Sequence, residues 1–205
     1  MATVTTTDRA EDTRRRILDV AATMFAQRGY AGTSLNELIK ATGLTKGGFY
    51  FHFASKEALA LAVLDHKKEQ WAGRVMSAAM KETRAIDQCR AMAVGLCDLY
   101  EADPSFQAIG KLCYELIAKS PDLAPKLRPT FSTWVNLTGS LIRSAQLEGD
   151  VRQDVDPMVA AEVAVAAFTG IETMSFFTTG GTDLRRRVNE FVELFVAALS
   201  PQGKA

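Results

Sequence analysis

The stretch SLNELIKATGLTKGGFYFHFASKE, residues Ser34 to Glu57, decides the fold. Ser34 and Glu37 are spaced as an S-x-x-E capping box, which satisfies free N–H groups where a helix begins. Leu35, Leu38 and Ile39 give that helix one apolar side. Gly43 can adopt the positive φ that a chain reversal needs. Thr45 then suits the N-cap of a second short helix, Lys46 to about Phe51, and Ser55 that of a third. Helix, glycine turn and helix in this space form a helix-turn-helix. The second helix of such a unit can enter the DNA major groove with its N-terminal residues at the base edges. Its exposed side is expected to carry Lys46, Gly47, Tyr50 and His52, whereas Phe49 and Phe53 belong to the core.

TKGGFYFHFASKEAL, Thr45 to Leu59, resembles the recognition-helix signature of TetR-family transcriptional regulators, and GYAGTSLNELIKATGL before it fits the same N-terminal domain. The resemblance covers roughly residues 12–64 and rests on Lys46, Tyr50, His52 and Lys56 together. It implies that Thr33, Ser34, Thr45 and Lys56 hold the DNA backbone. Lys46 and Lys56 suit phosphates because an ammonium needs no exact geometry. Tyr50 and His52 can donate hydrogen bonds, and Gly47 lets the helix approach the bases closely. Phe51 stands where other family members often carry a polar aromatic, and no role is assigned to it.

Outward from this stretch, the 205 residues carry zero formal net charge, with 47% apolar and 23% charged residues, an ordinary globular composition. A uniformly basic architectural DNA protein is thereby disfavoured. The charge is uneven, however. Through Lys56 there are eight Lys and Arg against five acids, leaving sixteen against nineteen beyond. A basic end on an acidic body suits a molecule that touches phosphates with one end.

Upstream, Ile17, Ala21, Met24 and Phe25 form one stripe on a helix from about Glu11 to Arg28, with Gly29 following as its C-cap. Residues 1–10 read as a polar, disordered arm, through which Arg9, Arg14 or Arg15 could reach DNA. Downstream, Ser55 to about Met80 contains no proline and reads as a connecting helix into the body. Further helices are expected at Ile86–Tyr100, Ser105–Ala118, Pro129–Glu148, Asp156–Phe177 and Thr182–Leu199. No strand-like alternation appears, so the fold is all-α with about nine helices. The expected organisation is TetR-like, an N-terminal three-helix domain at 1–54 followed by a helical ligand-binding and dimerisation domain at 55–205.

In the last two helices Val159, Val163, Ala167 and Ile171, then Val188, Phe191 and Phe195, make apolar faces wider than a small body needs to cover. A twofold four-helix interface in a homodimer is the expected use, and the resemblance implies the same. The run Met158 to Phe177 is long and apolar, but Glu162 and Glu172 inside it argue for a helix buried in protein rather than membrane.

The expected effector site is an apolar pocket lined by Leu96, Leu99, Phe106, Cys113, Ile117, Phe131, Trp134 and Phe168. TFSTWVNL, Thr130 to Leu137, and DVRQDVDP, Asp150 to Pro157, resemble the body of the γ-butyrolactone autoregulator receptors, a TetR branch from Streptomyces and relatives. That resemblance implies that Trp134 lines the pocket for a signalling lactone or butenolide. A drug-like ligand controlling an efflux or resistance gene is the alternative. Cys89, Cys97 and Cys113 lack a C-x-x-C spacing, so neither a disulfide framework nor a metal site is expected, and no cofactor. Reduced cysteines and the absence of a signal-peptide core point to the cytoplasm. His52 and His66 are the two imidazoles, and no nucleophile elbow, phosphate loop or H-E-x-x-H accompanies them, which argues against an enzyme.

Overall fold

A computed structural model describes residues 6–201. All regular elements among them are helical, and they group into two compact units. The first unit holds α1 (Thr6–Arg28), α2 (Leu35–Thr42), α3 (Lys46–His52), α4 (Lys56–Ala79) as far as Gln70, and α6 (Pro104–Lys119). A 3-10 turn at Pro121–Leu123 and the start of α7 (Ala124–Leu147), to Arg128, complete it. The second unit holds the remainder of α4 and α7 with α5 (Ala85–Ala102), α8 (Pro157–Thr179) and α9 (Leu184–Leu199). The expected partition at residue 54 therefore differs from the compact grouping, because α6 returns to pack on α1.

In the first unit Ile17, Ala21 and Phe25 of α1, Leu38 and Ile39 of α2, Phe49 of α3 and Leu59 and Val63 of α4 are buried. Each large side chain so removed from water contributes about 1.5–3 kcal/mol. Arg14 lies over the Phe53 ring at 4.6 Å, and Arg16 donates to the Thr42 carbonyl oxygen at 3.3 Å, so these two α1 arginines serve the head's own packing. Residues 6–10, expected in a disordered arm, are the first turns of α1; residues 1–5 of that arm lie outside the described residues.

In the second unit Ala85, Ile86, Ile142, Ala145, Val151, Ala160, Ala161 and Leu199 form the core, with Phe195 and Val196 packed against it. The DVRQDVDP turn is held from several sides. Gln146 Nε2 donates to the carbonyls of Arg152 and Val155 at 3.0 and 2.8 Å, and Arg152 N donates to Leu199 O at 2.9 Å. Asp156 caps α8 through the N–H groups of Met158 and Val159. At the other end of α8, Ser175 and Thr179 hydroxyls and Arg187 Nε all donate to the Asp183 carboxylate, which joins α8 to α9. Across the α5–α9 contact Arg185 pairs with Asp98 and Glu101, and Arg90 with Glu193.

Two expectations change here. Helix α7 begins at Ala124 rather than Pro129. Pro125 falls in a first turn, where the missing N–H has no intrahelical partner to lose, and Pro129 is accommodated inside the helix. Secondly, only 17% of the most apolar stretch of α8 is buried within the chain, so it is not a buried core helix. Its length and composition match those of a membrane span, but ionisable Glu162 and Glu172 lie within it; Val159, Val163, Met174, Phe176 and Phe177, with Leu194 of α9, are uncovered large apolar side chains.

Candidate nucleic-acid interface and body residues

Helix α2 starts as its sequence requires. Ser34 Oγ accepts the Glu37 N–H at 3.2 Å, and Glu37 Oε2 accepts the Ser34 N–H at 3.0 Å. The hydrogen bond from the Ser34 hydroxyl, first among several causes, holds the Glu37 carboxyl below its usual range. Gly43, at φ 70° and ψ 12°, takes the left-handed conformation that turns the chain into α3. Thr45 Oγ1 accepts the Gly48 N–H at 3.1 Å, capping α3. Phe49 is wholly buried, so the rotation of α3 about its axis is set by the core.

That rotation leaves Thr45, Lys46, Gly47, Tyr50 and Phe51 exposed and His52 half-buried. Lys46, Gly47 and Tyr50 of the expected DNA-facing set thus share the exposed side of α3, whereas His52 lies towards its buried side. Phe51 joins them, although its residue type suggests no such role. An aromatic flanked by Phe49 and Phe53 reads as core by type, and only the helical phase separates it from them.

Thr33 departs from expectation. It is wholly buried, and its hydroxyl donates to Gly29 O at 2.8 Å, so it fastens the α1–α2 turn rather than facing DNA. Ser34 remains exposed at the start of α2. Lys56 follows the Ser55 cap, whose Oγ accepts the Ala58 N–H at 3.0 Å. Its ammonium rests over the Tyr30 ring at 4.2 Å, a ring it shares with Lys119 of α6 at 5.1 Å. Desolvation first, then repulsion by Lys119, lowers the Lys56 pKa.

The expected effector residues divide between the units. Phe106, Cys113 and Ile117 are on α6 in the first, and Leu96, Leu99, Phe131, Trp134 and Phe168 are in the second. Cys113 and Leu99 are buried, Phe131 is exposed, and Leu96, Trp134 and Phe168 are half-buried. Burial pushes the Cys113 thiol up to about 12, so it behaves as a small core residue. A depression at the α7–α8 turn is lined by Gly149, Val151, Arg152, Gln153, Asp154 and Pro201, none of them an expected effector contact.

The expected dimer residues separate in the same way. Val159 and Val163 are exposed, and Ala167, Ile171 and Phe191 half-buried. Val188 is 1% exposed within its own subunit, and Phe195 packs on the second unit's core. Val188 is corrected to an internal packing residue, whereas Phe195 is half-buried like Phe191. Helix α9 is amphipathic, and Leu184, Val188 and Leu199 are buried while Leu194 is exposed.

Among the described residues no cluster of three His, Cys, Asp or Glu side chains could hold a metal ion. His66 Nε2 lies 3.2 Å from Asp19 Oδ1, a contact inside the head unit.

Comparison with known proteins agrees with this geometry. The family model described as bacterial regulatory proteins, tetR family, matches residues 17–63. The chain is 30% identical over 195 residues to the A-factor receptor protein of Streptomyces griseus, across 95% of this chain. It spans 66% of that relative's own length. A solved structure described as the molecular basis for control of antibiotic production by bacterial hormones superposes with a TM-score of 0.79 at 31% identity, over 93% of this chain and 98% of the other. Full-length tylp, a tetR regulator from Streptomyces fradiae, gives a TM-score of 0.77 at 29% identity, over 95% and 89%. These relatives are regulators and receptors rather than enzymes. The chain belongs to the tetR family of bacterial regulatory proteins, helix-turn-helix regulators of transcription that bind DNA.

Proposed function

We propose that the chain is a homodimeric repressor that grips a pseudo-palindromic operator through α3 and is released by a small apolar effector. The observation that carries the DNA half is the exposed row Lys46, Gly47, Tyr50 and Phe51, held in place by buried Phe49 and capped by Thr45. Lys46 and Lys56 contact phosphates, Ser34, Thr45, Tyr50 and His52 supply hydrogen bonds, and Gly47 allows close approach. Two such helices in successive major grooves stand about 34 Å apart.

The dimer forms through the uncovered apolar set of α8 and α9, which includes Val159, Val163 and Leu194. Monomers rarely leave so many large apolar side chains on adjoining helices in water. The protein acts in the cytoplasm, where its DNA is.

The effector is an apolar molecule with a small polar head, in the class of γ-butyrolactones and butenolides. This reading draws on the half-buried indole of Trp134, on the apolar Leu96, Leu99 and Phe168 carried by the same unit, and on similarity to a receptor and to a hormone-controlled system. Linkage requires that DNA lower effector affinity by the same factor as effector lowers DNA affinity. Moving the population from mostly bound to mostly free needs roughly 5 kcal/mol of differential affinity.

The test is titration of a γ-butyrolactone series against the protein on an operator duplex, with Trp134→Ala beside the wild type. Release of the wild type and retention of the variant supports the reading. A variant released at the same concentration removes Trp134 from the pocket, and a wild type released by no lactone removes the ligand class.

A further inference from the structure

The aromatic side chain of Phe51 is 79% exposed, against 49% for Tyr50 beside it. Helix α3 has already met its need for burial with Phe49, and its C-cap Phe53 is buried too, so the head's core makes no use of the Phe51 ring. The His52 ring meets it edge-on, with centroids 5.1 Å apart and planes at 87°, which steadies its orientation.

Gly47 lies four residues earlier on the same helical face. A Cβ built there meets nothing within 4 Å, and its φ is negative, so neither packing nor backbone geometry in the chain calls for glycine. Glycine inside a helix is otherwise disfavoured relative to alanine. A bare backbone position and an uncovered ring, each unfavourable for the free helix, thus occupy one face alongside the exposed Lys46 and Tyr50. Both are accounted for if that face meets something that needs the space and offers apolar surface.

We propose that the Gly47 backbone and the Phe51 ring form a seat for the 5-methyl group of a thymine in the operator's major groove, making Phe51 a specificity-determining residue. A phenyl ring has no hydrogen-bonding group for phosphate or for the polar base edges. The thymine methyl is the apolar mark that the major groove displays, and aromatic side chains are among its readers. Seating it there discriminates T·A from C·G. The inference rests on α3 binding DNA and adds which base it reads.

The experiment starts from a duplex recovered by selection from a random pool with the full wild-type chain. Each thymine of a half-site is then replaced in turn by deoxyuridine, which removes the methyl and keeps the pairing. One position per half-site is expected to weaken wild-type binding about fourfold, the worth of one buried methyl-sized group. Phe51→Ala is expected to bind the thymine duplex more weakly and to lose sensitivity to that replacement, while Phe51→Tyr keeps it. The side chain is exposed, so the alanine variant folds, and circular dichroism verifies this. A wild type indifferent to every deoxyuridine, a half-site without thymine, or an alanine variant that loses as much as the wild type overturns the proposal. Failure to select any duplex instead overturns the DNA reading beneath it.

Discussion

The Glu115 carboxylate of α6 accepts the backbone N–H of Tyr30 at 2.6 Å. The same oxygen takes the Ala31 N–H at 3.2 Å, so one side chain satisfies two donors just past the C-terminus of α1. Gly29 permits this in two ways. Its φ of 70° suits the turn, and a Cβ there would stand 2.8 Å from Glu115 Oε1. The turn so fastened leads into Thr33 and the cap of α2, and the Tyr30 ring carries Lys56.

Removal of Glu115 therefore leaves the part-buried Tyr30 donor unmatched, while water reaches the exposed Ala31 N–H. Glu115→Ala is expected to lower stability by about 1–3 kcal/mol, and Glu115→Gln, which keeps an acceptor oxygen, by less. Denaturant unfolding at fixed protein concentration measures both. Equal losses in the two variants would show that the hydrogen bonds are not what the carboxylate supplies.

Gly47→Ala separates folding from binding. The chain offers an added methyl open space, so the helix should gain up to about 1 kcal/mol. Operator affinity should nevertheless fall, because the methyl stands where the groove approaches. A variant more stable than the wild type and equal to it in DNA affinity would place the groove elsewhere.

Much of this head is readable in the residues. The Ser34–Glu37 box, Gly43 and Thr45 act over three or four positions, and each makes the local bond that its type suggests. What is not readable depends on partners far along the chain or on the packing of whole helices. Thr33 has the chemistry of a phosphate ligand and a neighbour, Gly29 O, that takes its hydroxyl. Val188 and Leu194 look alike as residue types, and only the packing of α9 buries one and exposes the other. Pro129 reads as a helix start because proline suits a first turn, yet α7 begins at Ala124 and runs through it.

Val188 and the outward residues should accordingly respond in opposite ways to a charge. Val163→Glu and Leu194→Glu are expected to yield helical, folded monomers by sedimentation. Val188→Asp, placing a charge in a site 1% exposed, is expected to unfold the subunit at a cost of several kcal/mol. A dimer unaffected by both outer substitutions would exclude this face.

Glu172 makes stability depend on pH. Desolvation pushes its carboxyl up to about 7 from an ordinary 4.5, so the folded state holds a proton that the unfolded chain releases more readily. Its contribution is fully present below about pH 4.5 and is lost as pH rises through about 7, amounting to roughly 1–2 kcal/mol for a partly exposed group. Glu172→Gln should flatten that part of the stability profile and be the more stable protein at pH 8. A profile unchanged by the substitution would place the carboxyl in water.

Lys46→Ala tests the phosphate assignment through salt. Loss of one contact in each subunit should reduce the slope of log affinity against log salt by about 2 for a dimer, with the loss similar across operator variants. A preserved slope would remove Lys46 from the backbone contacts.

The most direct test of the whole account is the footprint of the full chain on its selected duplex, read together with the stoichiometry of the complex by sedimentation. An inverted repeat is expected, with protected patches centred about 34 Å apart and subunits bound in pairs. A protein that remains monomeric at micromolar concentration, or that enriches no sequence over the random pool, would contradict it.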